Sequence, residues 1–357
     1  MNTRPCKRAI VSSALRRGAG FTLVELMIAM ALGLIVIAGV TSVFLAGQQS
    51  FRTNNALGEV QDSARTAFEL MAADIREAGL TGCNSIDGRV RNVLYNGPGN
   101  GGTIWWANWA NAIHGYDSNA DDPALAGQGT GPQVAGTDSL ELMSAAGPQT
   151  VITDFDYSGH RFTLSAPTTA LSDGDIAVVC SPSQATILQI GYAAGSTDVT
   201  YVAMAAHPGN HSAELVCDKN CMGSTPALTT PPTFPPNSLI TRMNAVDWYL
   251  GTNDEGGTSL YRVNLQNTAG RIGTETQEMV RNVTAMKITY LAPNLPDLGT
   301  RFQTANMISV SGTWAAVTAI RVQLTMQSGF RRATTGNTPA SLSRTYVFTT
   351  ALRNRVN

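Results

Sequence analysis

Few side chains near the start of this chain can do chemistry, and one is set apart by its surroundings. Between Phe21 and Phe51 the only ionisable side chain is Glu25, and Leu26 to Gly47 is a run of 22 uncharged residues. A carboxylate at the head of such a run costs roughly 3 kcal/mol to insert unless it finds a partner or a wet boundary. No basic residue lies within a helical turn of Glu25, so a compensating charge has to come from a new chain terminus or from another molecule. Cutting after Gly20 would turn the amine of Phe21 into such a charge. Glu25 is therefore the first candidate for function, and the Phe21 amine one conceivable partner for it.

Other spacings suggest chemistry less strongly. His207, His211, Cys217 and Cys221 give H-x3-H-x5-C-x3-C, a zinc-like set. Pro208 and Gly209 break the turn that would align the histidines, and an exported domain favours cystine, so no metal is assigned. Asp117, Asn119 and Asp121 alternate like the start of a calcium loop, but Asp122 stands where Gly is needed and Gln128 where the closing Glu is needed. A solvated acidic turn is expected there. No G-x-S-x-G elbow, Walker loop or dinucleotide fingerprint occurs, and nothing in the spacing of His114, His160, His207 and His211 selects a catalytic triad. The reading is of a protein that is not an enzyme and has no cofactor.

The elements that must position Glu25 follow from pattern. As a helix, the uncharged run would extend about 33 Å, enough to cross a bilayer. Leu57, Val60, Ala64, Ala67, Phe68, Met71, Ile75 and Ala78 then recur at steps of three and four, which is one apolar helix face. No proline intervenes between Pro5 and Pro98, and Asp62, Arg65 and Glu69 can pair along the polar side. The spacing predicts one helix from Phe21 to about Ala78, stopped by Gly79. An ordinary secretory signal would need a shorter apolar core and a small-residue cleavage site, which Phe44-Leu45-Ala46-Gly47 fits poorly.

Charge sets the orientation. Arg4, Lys7, Arg8, Arg16 and Arg17 fall in the first 20 residues with no acid; without them 24 − 5 = 19 basic residues face 25 acidic ones, a net of −6. The side richer in Lys and Arg stays cytoplasmic, so the body is expected outside the inner membrane. Charged residues are only 14% and glycines number 34, which suits an extracytoplasmic, turn-rich β domain and argues against a nucleic-acid binder. Cys6 lies in the basic first 20 residues and four cysteines lie beyond them. Three pairings are possible; Cys83 with Cys180 and Cys217 with Cys221 are preferred, the first tying the helix end to a strand.

Short β-branched runs separated by turn residues follow: Ser139 to Ser144, Arg161 to Ser165, Asp175 to Cys180, Ala185 to Ile190, and Val199 to Ala203. Trp105, Trp106 and Trp109, after a Gly- and Asn-rich stretch, are expected to fill core. Pro231-Pro232-Thr233-Phe234-Pro235-Pro236 reads as a stiff connector that divides the β region into two lobes or forms a surface loop. Beyond it come a hairpin around Asn253 to Gly257, strands at Val283 to Leu291 and around Ile320 to Met326, and a last strand from Arg344 to Leu352.

Gly20-Phe21-Thr22-Leu23-Val24-Glu25, continued by Leu26-Met27-Ile28-Ala29-Met30-Ala31-Leu32-Gly33, resembles the signal of type IV prepilins and type II secretion pseudopilins. The resemblance implies an α+β, pilin-like fold, with a long N-terminal helix packed on a large antiparallel β-rich domain. It implies a leader at 1–20, a helix at 21–78 with a membrane and filament-core half at 21–50 and an amphipathic half at 51–78, and a globular region at 79–357. A prepilin peptidase would cut between Gly20 and Phe21 and methylate the new amine, and Glu25 would pair with the amine of a neighbouring subunit. Many pilins carry a proline where this chain has Thr41-Ser42; Gly33, Gly39 and Gly47 are the alternative sources of flexibility. Arg76-Glu77-Ala78-Gly79 leading to Gly82-Cys83, the segment Val280-Arg281-Asn282-Val283-Thr284 and the closing Leu352-Arg353-Asn354 together resemble the PilW minor pilins. That likeness implies partners among other minor pilins and the major pilin, a large tip adhesin, and a role in pilus assembly and twitching motility. The J-type pseudopilins and an unprocessed membrane-tethered module or enzyme are the alternatives.

Overall fold

A computed structural model describes residues 20–83, 90–95, 104–109, 112–118, 120–127, 129–145, 147–203, 208–215, 231–293, 301–329 and 340–353. The chain forms two compact units, Met1–Asn54 and Asn55–Asn357. Helix α1 spans Leu23–Glu77, 55 residues without interruption. Thr41 and Ser42, at the position where many pilins carry proline, return their hydroxyls to the carbonyls of Ile37 and Gly39 and leave the helix continuous. Gly79 ends it in the left-handed region, φ 76°, where a residue without Cβ is unstrained.

The β strands are β1 Val90–Asn92, β2 Ile113–Tyr116, β3 Ser139–Ser144, β4 Thr150–Asp156, β5 Arg161–Leu164, β6 Ile176–Ser181, β7 Gln184–Gln189 and β8 Gly191–Tyr192. They continue as β9 Asp198–Thr200, β10 Ser238–Arg242, β11 Asn244–Thr252, β12 Thr258–Thr268, β13 Arg271–Arg281 and β14 Val283–Leu291. A short helix α2, Ala305–Ser311, precedes β15 Ala319–Gln327 and β16 Ser343–Ala351. Three sheets result, ordered β1-β7-β6-β10-β4-β5-β9-β8, β13-β12-β11-β3-β2 and β14-β15-β16. Pairing is antiparallel except between β1 and β7. This is the expected α+β architecture of a long N-terminal helix and a large antiparallel β-rich domain.

The strand that follows Pro231 to Pro236 keeps to the sheet of the strands just before the connector. β10 lies between β6 and β4 in that sheet, and after the connector the chain first changes sheet at Met243, between β10 and β11. A stiff Pro-rich segment spans a distance without deciding which sheet receives the next strand.

The part of α1 from Asn55 onward is fixed to the β region by packing and by polar ties. Ala56, Val60, Ala64, Ala67, Met71, Ala72 and Ile75 are buried. Val60, Met71 and Ile75 share a core with Leu140, Leu142, Trp248, Leu250, Val322 and Leu324. Each large side chain in that core contributes about 1.5–3 kcal/mol. Asp74 accepts from Trp248 Nε1 at 2.9 Å and from the Arg262 guanidinium at 2.9 and 3.0 Å, a forked pair with little exposure. Beyond the helix, Gly79 N–H donates to Met143 O and Ala145 N–H to Leu80 O, laying the chain along the end of β3. Cys83 and Cys180 then form a disulfide, Cα–Cα 5.8 Å, the helix-end-to-strand tie preferred from sequence. Cys217 and Cys221 lie outside the described residues.

A second core lies on the other face of the middle sheet, where Trp105, Trp106 and Trp109 pack with Met143, Val178 and Tyr249. The tryptophans fill core, as expected.

Candidate functional site

Gly20 and Phe21 precede the helix and are exposed, Phe21 at 81%. Thr22 is the N-cap of α1: its Oγ1 accepts from the N–H of Glu25 at 3.2 Å, and its carbonyl accepts from Leu26 N–H. Glu25 thus sits in the third helical position, where a carboxylate also meets the positive end of the helix dipole. Thr22 was not singled out from sequence, although Thr-x-x-Glu before an apolar run is the capping-box pattern and supplied the signal. Among the described residues no ion pair engages the Glu25 carboxylate.

From Phe21 to Phe51 the large apolar side chains lie open: Leu26, Met27, Ile28, Leu34, Ile35, Val36 and Phe44 each expose more than half their surface. By length and composition this helix can cross a membrane. A cylinder of Leu, Ile, Val and Met does not remain bare in water, so lipid or other apolar helices must cover it. The arrangement can therefore do two things: insert, and place one carboxylate at the apolar end of a helix bundle.

The other candidate groups fall elsewhere. His207, Asn119 and Gln128 lie outside the described residues, as do Cys217 and Cys221. The ring of His211 stands 5.9 Å from that of Tyr95. Among the described residues no group of three or more His, Cys, Asp or Glu is arranged to hold a metal ion. In the expected solvated acidic turn Asp121 is exposed and Asp117 partly so, and Asp117 and Asp122 have structural partners as well. Asp117 accepts from the N–H groups of Ala305 and Asn306 at 3.1 and 2.8 Å, capping α2 from a distant part of the chain. Asp122 is buried and accepts from Ala124 N–H at 2.8 Å at the head of the 3-10 turn Pro123–Leu125. Both carboxylates serve helix ends, which is where orphan N–H groups require acceptors.

Of the three short segments singled out around 76–83, 280–284 and 352–353, the first and last meet in space. Arg353 N–H donates to Arg76 O at 3.2 Å, and Leu352 is fully buried beside the helix in the first core. The middle segment turns β13 into β14 through Asn282, held at φ 63°, a conformation Asn tolerates better than most residues.

Residues 15–41 match the family model of the prokaryotic N-terminal methylation motif. No curated protein matches the chain. The matched segment contains Gly20, Phe21 and Glu25 and implies processing by a prepilin peptidase and assembly with other pilins. The motif and the long apolar helix behind it together support a type IV pilin-like protein.

Proposed function

We propose that the protein is a minor pilin of the PilW kind, which joins other minor pilins in a priming or tip complex from which a type IV pilus grows. The observation that carries this reading is the pairing of an uncovered apolar helix with a single carboxylate at its head. In the membrane the leader 1–20 is removed, Phe21 becomes a methylated terminus, and the β region from 79 onward lies in the periplasm. During assembly the apolar halves of neighbouring helices bundle, and Glu25 meets the amine of the adjacent subunit, so that both charges leave water together. The work is structural, with the major pilin, other minor pilins and a large tip adhesin as partners and no catalytic step.

The matched motif also serves pseudopilins, and the J-type subunit of type II secretion is the second reading. Deletion separates the two: loss of surface pili and twitching supports the pilus, whereas exoenzymes retained in the periplasm support secretion.

The mechanism is tested by Glu25→Ala. The variant is expected to insert in the membrane at wild-type level and to be absent from sheared filaments and from cross-linked complexes. Normal piliation would sink it. Mass spectrometry of the mature N-terminus checks the premise, with N-methylated Phe21 as the expected product. A mature chain that keeps residues 1–20 would instead leave a tethered module.

A further inference from the structure

Three carboxyl groups from distant parts of the sequence converge on the second-core face of the middle sheet. Glu141 on β3 is directly opposite Asp247 on β11, and its other neighbour across the ladder is His114 on β2. Asp122 reaches the same spot from the head of the 3-10 turn Pro123–Leu125, near enough for the three carboxyls to act on one another. Asp247 is fully buried, and Glu141 and Asp122 nearly so. Like charges directly opposite each other in a sheet repel, and burial removes the water that would screen them.

The donors around the cluster are too few for three anions. Asp122 takes Ala124 N–H and the Ser139 hydroxyl, and Glu141 Oε2 takes the Tyr116 hydroxyl at 3.2 Å. Glu141 Oε1 and both oxygens of Asp247 have no hydrogen-bond partner. The N–H groups of Leu140 and Trp248 lie near enough to Asp247 to favour its charge slightly, but neither reaches hydrogen-bond geometry, and burial outweighs them. The remaining titratable groups that act with the cluster are Tyr116 and His114 on β2, Tyr249 on β11 and, from the first-core side, Tyr290 on β14. Burial raises the three tyrosines, so they stay neutral, and it pushes His114 down to about 4. Among the described residues no ion pair engages any of the three acids.

We propose that Asp122, Glu141 and Asp247 share protons among themselves, and that these protons latch the 3-10 turn Pro123–Leu125 to the middle sheet and release it when they are lost to base. Burial raises all three carboxyls above the ordinary range; repulsion from the neighbouring acids adds to it at Glu141 and Asp247, which stand well above that range, whereas hydrogen bonds from Ser139, Ala124 and the other two acids hold Asp122 back. A carboxyl raised in the folded state gives stability that is fully present below its unfolded pKa, near 4, and lost as pH rises through the folded value. The latch therefore holds in acid and loosens in alkali. His114 works the other way: held neutral, it supports the fold above about pH 6.5 and withdraws that support as pH falls toward about 4. The wild-type curve mixes the two, so the informative quantity is the difference between a variant and the wild type. The latch is independent of what the N-terminal helix assembles with.

The test uses the full chain in detergent micelles, with Asp247→Asn and Glu141→Gln. Melting temperatures are measured from about pH 5 to about pH 9, together with the protection factor of the Ala124 amide, which removes the intrinsic base catalysis of exchange. The melting temperature of each variant minus that of the wild type is expected to grow with pH, and wild-type Ala124 protection to fall roughly tenfold or more while that of the variants holds. A constant difference across the range, or Ala124 protection that is constant in the wild type, overturns the proposal. Millimolar calcium raising the wild-type melting temperature at the alkaline end also overturns it, because the cluster would then be a cation cage. If Asp247→Asn does not fold, Glu141→Gln alone decides the matter by the same readouts.

Discussion

The two halves of α1 are the same helix built for different surroundings. Before Asn54 its large apolar residues ring the cylinder, and Leu32, Leu34, Ile35, Val36 and Ile37 are all exposed although they point in every direction. After Asn55 the apolar residues are confined to one stripe, and the stripe is rich in alanine: Ala56, Ala64, Ala67 and Ala72 are buried beside Val60, Met71 and Ile75. Small residues let a helix approach a sheet closely, with a few large ones filling the gaps. A ring of large residues suits instead an environment that is apolar on all sides. Periodicity, more than hydrophobicity, tells which half has its partner within the same chain.

The comparison breaks most sharply if the first half is removed. A chain beginning at Asn55 is expected to fold, stay monomeric and keep the far-UV spectrum of its β sheets in buffer without detergent, whereas the full chain needs detergent or membrane. Size-exclusion chromatography and circular dichroism report both. Aggregation of the shortened chain would mean that the first half supports the domain after all.

The next effect concerns the anchor beyond the second half. The Cys83–Cys180 disulfide closes a loop with a sequence separation of 97, for which chain entropy gives about 4–5 kcal/mol. Replacing both cysteines by serine is expected to lower stability toward that figure in a denaturant titration of the full chain. The loss should also appear as faster exchange of the Gly79 and Ala145 amides, which hold the stretch between helix and disulfide along β3. A loss confined to the strands around Cys180 would show that the helix end is held by packing and not by the bond.

A single substitution in each half sharpens the contrast further. Met71 is fully buried, so Met71→Ala is expected to cost about 2–5 kcal/mol. Ile35 is 69% exposed, so Ile35→Ala should leave the unfolding midpoint of the domain within about 0.5 kcal/mol, with its effect on membrane insertion or complex formation instead. Comparable destabilisation by both would erase the distinction between the halves.

How far this could be read from sequence depended on whether the cause was local. The helix was legible because its period runs unbroken past Gly58 without a proline, and β3 and β14 agree with expectation to the residue because alternation and turn residues bound them. β13 was not: Arg271–Arg281 is polar on both faces, an edge strand held by its ladder to β12 and hardly by burial. α2 has only seven residues, too few to be stable alone, and owes its start to Asp117 from 188 residues away. The same holds for the sites. Glu25 and Phe21 declare themselves within one helical turn, whereas Asp122, Glu141 and Asp247 each look ordinary in place and become a cluster only when the sheet sets them face to face.

The smallest expected effect lies on the outward side of the second half. Arg65 and Glu69 form an i,i+4 ion pair at 2.8 Å, with their side chains 79% and 61% exposed. Exposed pairs of this kind are screened by solvent and balanced by the entropy of fixing two long side chains. Arg65→Ala is therefore expected to leave the melting temperature of the full chain within measurement error at low salt and at high salt alike. Its value lies in what a positive result would mean. The stripe of Val60, Ala64, Ala67 and Met71 already accounts for the inner face, so a clear loss of filament incorporation at unchanged stability would mark the charged side as a contact with another subunit. The second half of the helix would then, like the first, have a partner outside its own chain, and the two halves would differ only in whether that partner is polar.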